Sequence, residues 1–90
     1  MIPIREVCPY GEPIARSQAR RILFRLEEFK EVELDLTVIE FMGQGFADEI
    51  FRVFQNKHPD IVLKAIHANE SVQGMIKHVR VNLDKELFGR

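Results

Sequence analysis

The chain has a single cysteine, Cys8, so no internal disulfide can form and a reducing cytoplasm is the simplest compartment for it. It has no apolar run approaching the roughly 18 residues a membrane-spanning helix needs. Its start also lacks the basic, then apolar, then small-residue order of a signal peptide, so a soluble cytoplasmic protein is expected. Charge of one sign is missing too: 13 basic against 14 acidic side chains leave a formal −1, which supplies no overall field to hold nucleic acid or an anionic membrane. His58, His67 and His78 occur singly, with no Cys or His at metal-ligand spacing, and no metal site or cofactor is expected. Repeats, low-complexity tracts and linkers are absent.

What is present is an ordinary globular composition, 46% apolar and 30% charged. Residues 1–90 make one domain, and a chain of this size buries only about 60–65% of the surface its unfolded form exposes, so one modest core must hold everything. Ile2 to Val7 reads as a short strand that Pro3 pushes to an edge, followed by a loop from Cys8 to Pro13. Ser17 can cap a first helix, about Ser17 to Phe29, burying Ile22, Leu23, Leu26 and Phe29, with Arg16, Arg20, Arg21 and Arg25 on its other side.

The most informative stretch is Val32 to Phe54, where the apolar period changes from strand-like to helix-like across Gly43-Gln44-Gly45. It reads as strand, tight turn, helix. The second helix carries Phe46, Ala47, Ile50, Phe51 and Phe54 as one apolar stripe and ends before Pro59. Ile61 to Ile66 has strand length and character. Asn69 can cap a third helix that buries Val72, Met75, Ile76 and Val79 and reaches about Arg80, after which residues 81–90 either extend it or form a tail. The order β-α-β-α-β-α with short connections predicts an α/β fold with a small, mainly parallel sheet of about three or four strands and about three helices packed on it, because parallel strands need a crossover.

Four motifs carry a family resemblance: Ser17-Gln18-Ala19-Arg20-Arg21, Leu34-Asp35-Leu36, the run Gly43-Gln44-Gly45-Phe46-Ala47-Asp48-Glu49-Ile50-Phe51-Arg52-Val53-Phe54, and His58-Pro59. With them the chain resembles the STAS-like domain family of unknown function, related to the domain of sulfate transporters and anti-sigma factor antagonists, over about Pro13 to Arg80. In the antagonists the strand-to-helix junction looks like an acid, two serines and a glycine, and a partner kinase phosphorylates a serine to control partner exchange. Here those places hold Gly43, Gln44, Gly45 and Phe46. No hydroxyl remains, so the resemblance implies docking at that edge without the phospho-switch. The partner it implies is a protein, an ATPase- or kinase-like regulator or a fused neighbouring domain.

The glycine turn could instead cradle a phosphate on helix N-terminal amides. Asp48, Glu49 and the nearby Glu40 already complement that helix end, which favours a plain turn over a nucleotide site. Asp48 and Glu49 are adjacent helical residues pointing about 100° apart, so they do not converge on one substrate atom, and no catalytic residue is nominated. Each can pair with Arg52 in an exposed contact of about 0.2–0.5 kcal/mol. The helix-one arginines could touch nucleic-acid phosphates, but no aromatic residue is interleaved for stacking. The residues therefore favour a non-enzymatic, regulatory protein-interaction domain with Gly43, Gln44, Gly45, Asp48, Glu49 and Arg52 as its contact set. A small-molecule or nucleotide site at the same turn is the alternative, and a DNA-contacting accessory the third reading.

Overall fold

In the structure, a computed structural model that describes residues 1–8 and 11–81 and the helical backbone of 82–87, the alternation around Val32 becomes the middle strand of a three-stranded parallel sheet. Strand β1 is Ile2–Pro3, β2 is Glu31–Asp35 and β3 is Val62–Ile66, in the order β1-β2-β3. Register pairs Ile2 with Leu34 on one side of β2 and Leu34 with Ala65 on the other. Val32, Leu34 and Leu63 are buried toward the helices, whereas Glu31, Glu33, Val62 and Lys64 face outward. Period-two patterning thus places one face of the sheet on the core and the other in water. Lys64 Nζ meets Glu31 Oε2 at 2.6 Å across that outer face.

The expected strand from Ile2 to Val7 is shorter than predicted. After Pro3 the chain winds into a single helical turn, α1 (Ile4–Val7), closed by the Cys8 amide on the Ile4 carbonyl at 3.0 Å. The turn drives Ile4 fully into the core, which a continued edge strand could not do. Pro9 and Tyr10 of the predicted loop lie outside the described residues.

Helix α2 (Arg16–Leu26) is capped differently from the expectation. Ser17 is exposed within the first turn; the helix start is closed by Gln18, whose Oε1 accepts from the Ile14 amide at 2.9 Å and the Ala15 amide at 2.7 Å. The longer side chain reaches two amides where a serine reaches one. The helix also stops three residues early, because the chain must turn through 27–30 to enter β2. Phe29 is consequently 52% exposed and not part of the apolar stripe, while Ile22 and Leu26 are buried and Leu23 partly so.

Beyond β2 the connection is not a tight turn but the eight-residue loop 36–43, which itself buries Leu36, Ile39 and Met42. A continuous helix follows over 44–57, made of α3 (Gln44–Asp48), a π-helical stretch (Glu49–Phe54) and α4 (Gln55–Lys57). It buries Phe46, Ala47, Ile50, Phe51 and Phe54 as predicted and ends before Pro59. The wider π turns change the angular step between side chains, which a 3.6-residue period does not anticipate.

Helix α5 (Glu70–Leu87) is capped by Asn69, whose Oδ1 accepts from the Val72 amide at 2.8 Å. Val72, Ile76 and Val79 are buried and Met75 partly so. The helix runs past Arg80, so of the two alternatives for the last segment the extension holds through Leu87; residues 88–90 lie outside the described part. Helices α2 and α5 both pack against α3 and the π stretch, giving two layers, helices on one face of the sheet. No helix among the described residues is long and apolar enough to cross a membrane.

Candidate interaction site at the carboxyl end of the sheet

Two loops, 11–15 and 36–43, meet beyond the carboxyl end of β2 and are held by backbone contacts. The Gly43 amide donates to the Pro13 carbonyl at 2.8 Å and the Phe46 amide to the Ile14 carbonyl at 3.0 Å. Glu12 Oε1 accepts from the amides of Glu40 and Phe41 at 3.3 and 3.5 Å, and its other oxygen meets Arg5 Nη2 at 3.0 Å. Burial pushes the Glu12 carboxyl up, but the Arg5 guanidinium and the two amides outweigh it and hold it below the ordinary range. From the far side Asn69 Nδ2 donates to the carbonyls of Ile39 and Glu40 at 3.3 and 3.2 Å.

Gly43 is required by this close approach and not by its torsion angles. A Cβ there would stand 2.6 Å from the Ile14 carbonyl oxygen and 2.7 Å from the Ile14 Cα, both backbone atoms that cannot step aside. Gly45 is looser, with Arg16 Cγ at 3.4 Å. The amides of Gly43, Phe46 and Ala47 are engaged within the protein, which ties the turn to the 11–15 loop through the first and second of them. Of the nominated contact set, Gln44 is exposed, Gly45 and Arg52 are half-buried, and Gly43 is buried.

Asp48 and Glu49 overturn the expectation of an exposed acidic rim: they are only 5% and 8% exposed. Arg16 Nη1 reaches Asp48 Oδ2 at 2.8 Å and Glu49 Oε1 at 3.2 Å, and Arg20 Nε reaches Glu49 Oε2 at 3.5 Å. The predicted pairing of Asp48 with Arg52 is present, through both Nε and Nη2, the latter at 2.8 Å. The Arg52 bonds, helped by Arg16 against the opposing effect of burial, hold the Asp48 carboxyl below its usual range, and the same carboxylates raise Arg16. The physical reason is the neighbouring helix. Read alone, helix 44–57 leaves these acids on its polar side; α2 lies against that side and covers them with its own arginines. The helix-one band is divided in consequence, with Arg16 and Arg20 tied to carboxylates while Arg21 and Arg25 remain exposed on α2.

A second polar cluster joins the carboxyl ends of β2 and β3, and sequence reasoning missed its role. Thr37 donates its hydroxyl to Asp35 Oδ1 at 2.6 Å and its amide to the same oxygen at 3.0 Å. His67 Nδ1 lies 3.0 Å from that oxygen and 3.2 Å from Thr37 Oγ1. The Thr37 hydroxyl, then His67 and the Thr37 amide, hold the Asp35 carboxyl down to about 2. Because the short bond sends the Thr37 proton to the carboxylate and not to the imidazole, the trio is not arranged as a nucleophile with its base. It clips two strand ends together. Asp35-Leu36-Thr37 carried a legible signal as an Asx-type turn, but His67, thirty residues away, carried none.

Around these loops three large apolar side chains stand in solvent: Ile14 at 52%, Val38 at 69% and Phe41 at 46% exposure. Val38 also holds φ at 58°, a left-handed value costly for a β-branched residue, and its carbonyl accepts from Arg5 Nη2 at 3.4 Å. Among the described residues no group of three His, Cys, Asp or Glu could hold a metal. The Cys8 thiol is buried, which raises its pKa despite the nearby Arg5 and Arg21.

A family model described as a STAS-like domain of unknown function matches residues 18–73, more than half of the chain, from the first turn of α2 to the first turn of α5. No curated protein and no solved structure matches the chain significantly. The strand order, the helix layer and the family match agree with one another, and the chain belongs to the STAS-like domain family of unknown function.

Proposed function

We propose that the domain is a non-enzymatic, regulatory protein-interaction module that docks a protein partner at the carboxyl end of its sheet, along the strand-to-helix junction that begins at Gly43. The observation that carries this reading is the exposure of Ile14, Val38 and Phe41 on two loops whose backbones are mutually bonded, an apolar rim on a stiff support. The contact set is therefore Ile14, Val38, Phe41 and Gln44, and the junction contributes rigidity through Gly43. Asp48, Glu49 and Arg52 take a supporting part, since their charges are spent within the protein. The partner is an ATPase- or kinase-like regulator or a neighbouring domain, and no hydroxyl at the junction subjects docking to phosphorylation there.

The nucleotide reading is weaker, because the amides of Gly43, Phe46 and Ala47 are committed and the carboxylates of Asp48 and Glu49 lie one turn behind the junction. The DNA reading loses Arg16 and Arg20 to ion pairs. A Val38→Asn, Phe41→Ser variant tests the proposal. Asparagine tolerates the left-handed backbone, so folding should be preserved or slightly improved. Recovery of partners from native extract should fall to background, while an Arg21→Glu, Arg25→Glu control keeps it. Equal recovery with the rim variant, or a rise in the melting temperature of the wild-type protein on adding nucleotides, would defeat the reading.

A further inference from the structure

Strand β3 is an edge, and its hydrogen bonds show which of its backbone groups are spare. The Val62 amide donates to the Lys30 carbonyl at 2.8 Å and the Ile66 carbonyl accepts from the Leu36 amide at 2.9 Å, so positions 62, 64 and 66 bond toward β2. Positions 63 and 65 then turn their N–H and C=O groups to the open side. Among the described residues only the Leu63 carbonyl there has a side-chain partner, Arg80 Nη2 at 3.2 Å, a side chain standing where a strand's amide would be. The other edge, β1, offers only Ile2 and Pro3, too little for a further strand.

The open side of β3 is the wall of a groove of about 860 Å³ whose opposite wall is α5, with Ile76, Lys77, Arg80 and Val81 turned to it. Leu63, Ile76 and the 45%-exposed Val81 make it apolar along its length. Among the residues whose side chains the structure describes, those that line it carry charge of one sign, Lys64, Lys77 and Arg80. Lys64 is answered by Glu31 on the outer face. Arg80 has the Leu63 carbonyl and the Phe51 ring, with its carbon 5.0 Å from the ring centroid, but no carboxylate among the described residues. A half-buried guanidinium with spare donors, next to unpaired strand backbone, is suited to an incoming carboxylate.

We propose that the groove between β3 and α5 takes an extended, acidic segment of a partner protein as a fourth strand, backbone-paired to Leu63 and Ala65 with its carboxylates on Lys77 and Arg80. This mode of recognition draws affinity from main-chain bonds and selectivity from alternate side chains, apolar ones toward Ile76 and acidic ones toward the cations. The surface is separate from the apolar rim and rests on different observations, so variants at Val38 and Phe41 should leave it unaffected.

The test titrates the isotope-labelled domain with a synthetic peptide of about eight residues alternating valine and glutamate, long enough to cover a strand of β3's length. Amide signals of Leu63 and Ala65 should shift, with affinity falling as salt is raised. Ala65→Pro removes an outward N–H without touching any bond to β2; it should retain its melting temperature and lose the peptide. Lys77→Glu, on the exposed side of α5, should weaken binding at least tenfold and keep the proposal testable should the proline variant misfold. The matching peptide with lysine for glutamate should not bind. No shift at millimolar peptide, equal affinity for the lysine peptide, undiminished binding by a folded Ala65→Pro, or shifts confined to Lys77 and Arg80 would each overturn the strand-addition proposal.

Discussion

Phe51→Ala should lower the unfolding free energy by about 3–5 kcal/mol, the range for emptying a buried aromatic site. Phe51 is fully buried in the π stretch, which packs against α2 and α5, and its ring also carries the Arg80 guanidinium. Domains of this kind hold only about 5–15 kcal/mol in total, so the variant stands near the limit of folding. The expected measurement is a denaturant midpoint reduced by well over a molar unit in urea, with the transition slope unchanged. Phe54→Ala should be costly too but milder, since Phe54 is 3% exposed and stacks one side of its ring on His58 at a centroid distance of 4.6 Å. A midpoint that hardly moved for Phe51→Ala would mean the stripe does not face the core.

The second large effect is electrostatic. Replacing Asp48 and Glu49 together by Lys should unfold the domain, judged by loss of the far-ultraviolet helix signal at 25 °C. The exchange removes the partners of Arg16, Arg20 and Arg52 and puts two more cations among them at positions almost closed to water. Removing one partner of a buried pair typically costs about 3–5 kcal/mol. Asp48→Asn should lie at or below the lower end of that range, because Arg16 has 44% of its side chain exposed and can turn outward. Glu28→Lys, at an exposed position on the turn after α2, is the matched charge reversal and should stay within about 0.5 kcal/mol. A double-lysine variant that folds like the wild type would show that these ion pairs are surface contacts after all.

This second case marks the boundary of what could be read from residues alone. Periodicity located all three main helices and both five-residue strands to within a few positions, except at the carboxyl end of α5, because each buries one stripe or one face and the spacing of Val32 and Leu34, or of Ile50 and Phe54, records it. The cap of α5 was legible because Asn69 acts three residues away along the chain. The cap of α2 was misassigned between neighbours that are both polar, Ser17 and Gln18, where side-chain reach decided the outcome. The fate of Asp48 and Glu49 was not legible, since it depends on α2 crossing their helix, a relation between segments some thirty residues apart. The same holds for His67 on Asp35 and for the Ile14 backbone against Gly43. The change of apolar period marks the glycine turn in the sequence, whereas the constraint on Gly43 is the distance to the Ile14 backbone, which no local pattern records.

The shortness of β1 bears on how the domain comes apart. Ile2 and Pro3 are its only paired residues, and they close a long stretch of chain against Leu34 and Asp35 in return for little hydrogen bonding. Native-state opening should therefore be staged, with the amino-terminal segment detaching and rejoining many times for each global unfolding event, while the β2–β3 ladder and the helices stay closed. While detached, it leaves the β1-facing side of β2 bare, so for brief intervals the central strand is itself an edge, and the stability that matters against self-association is that of the anchor at Ile4 and not that of the whole domain.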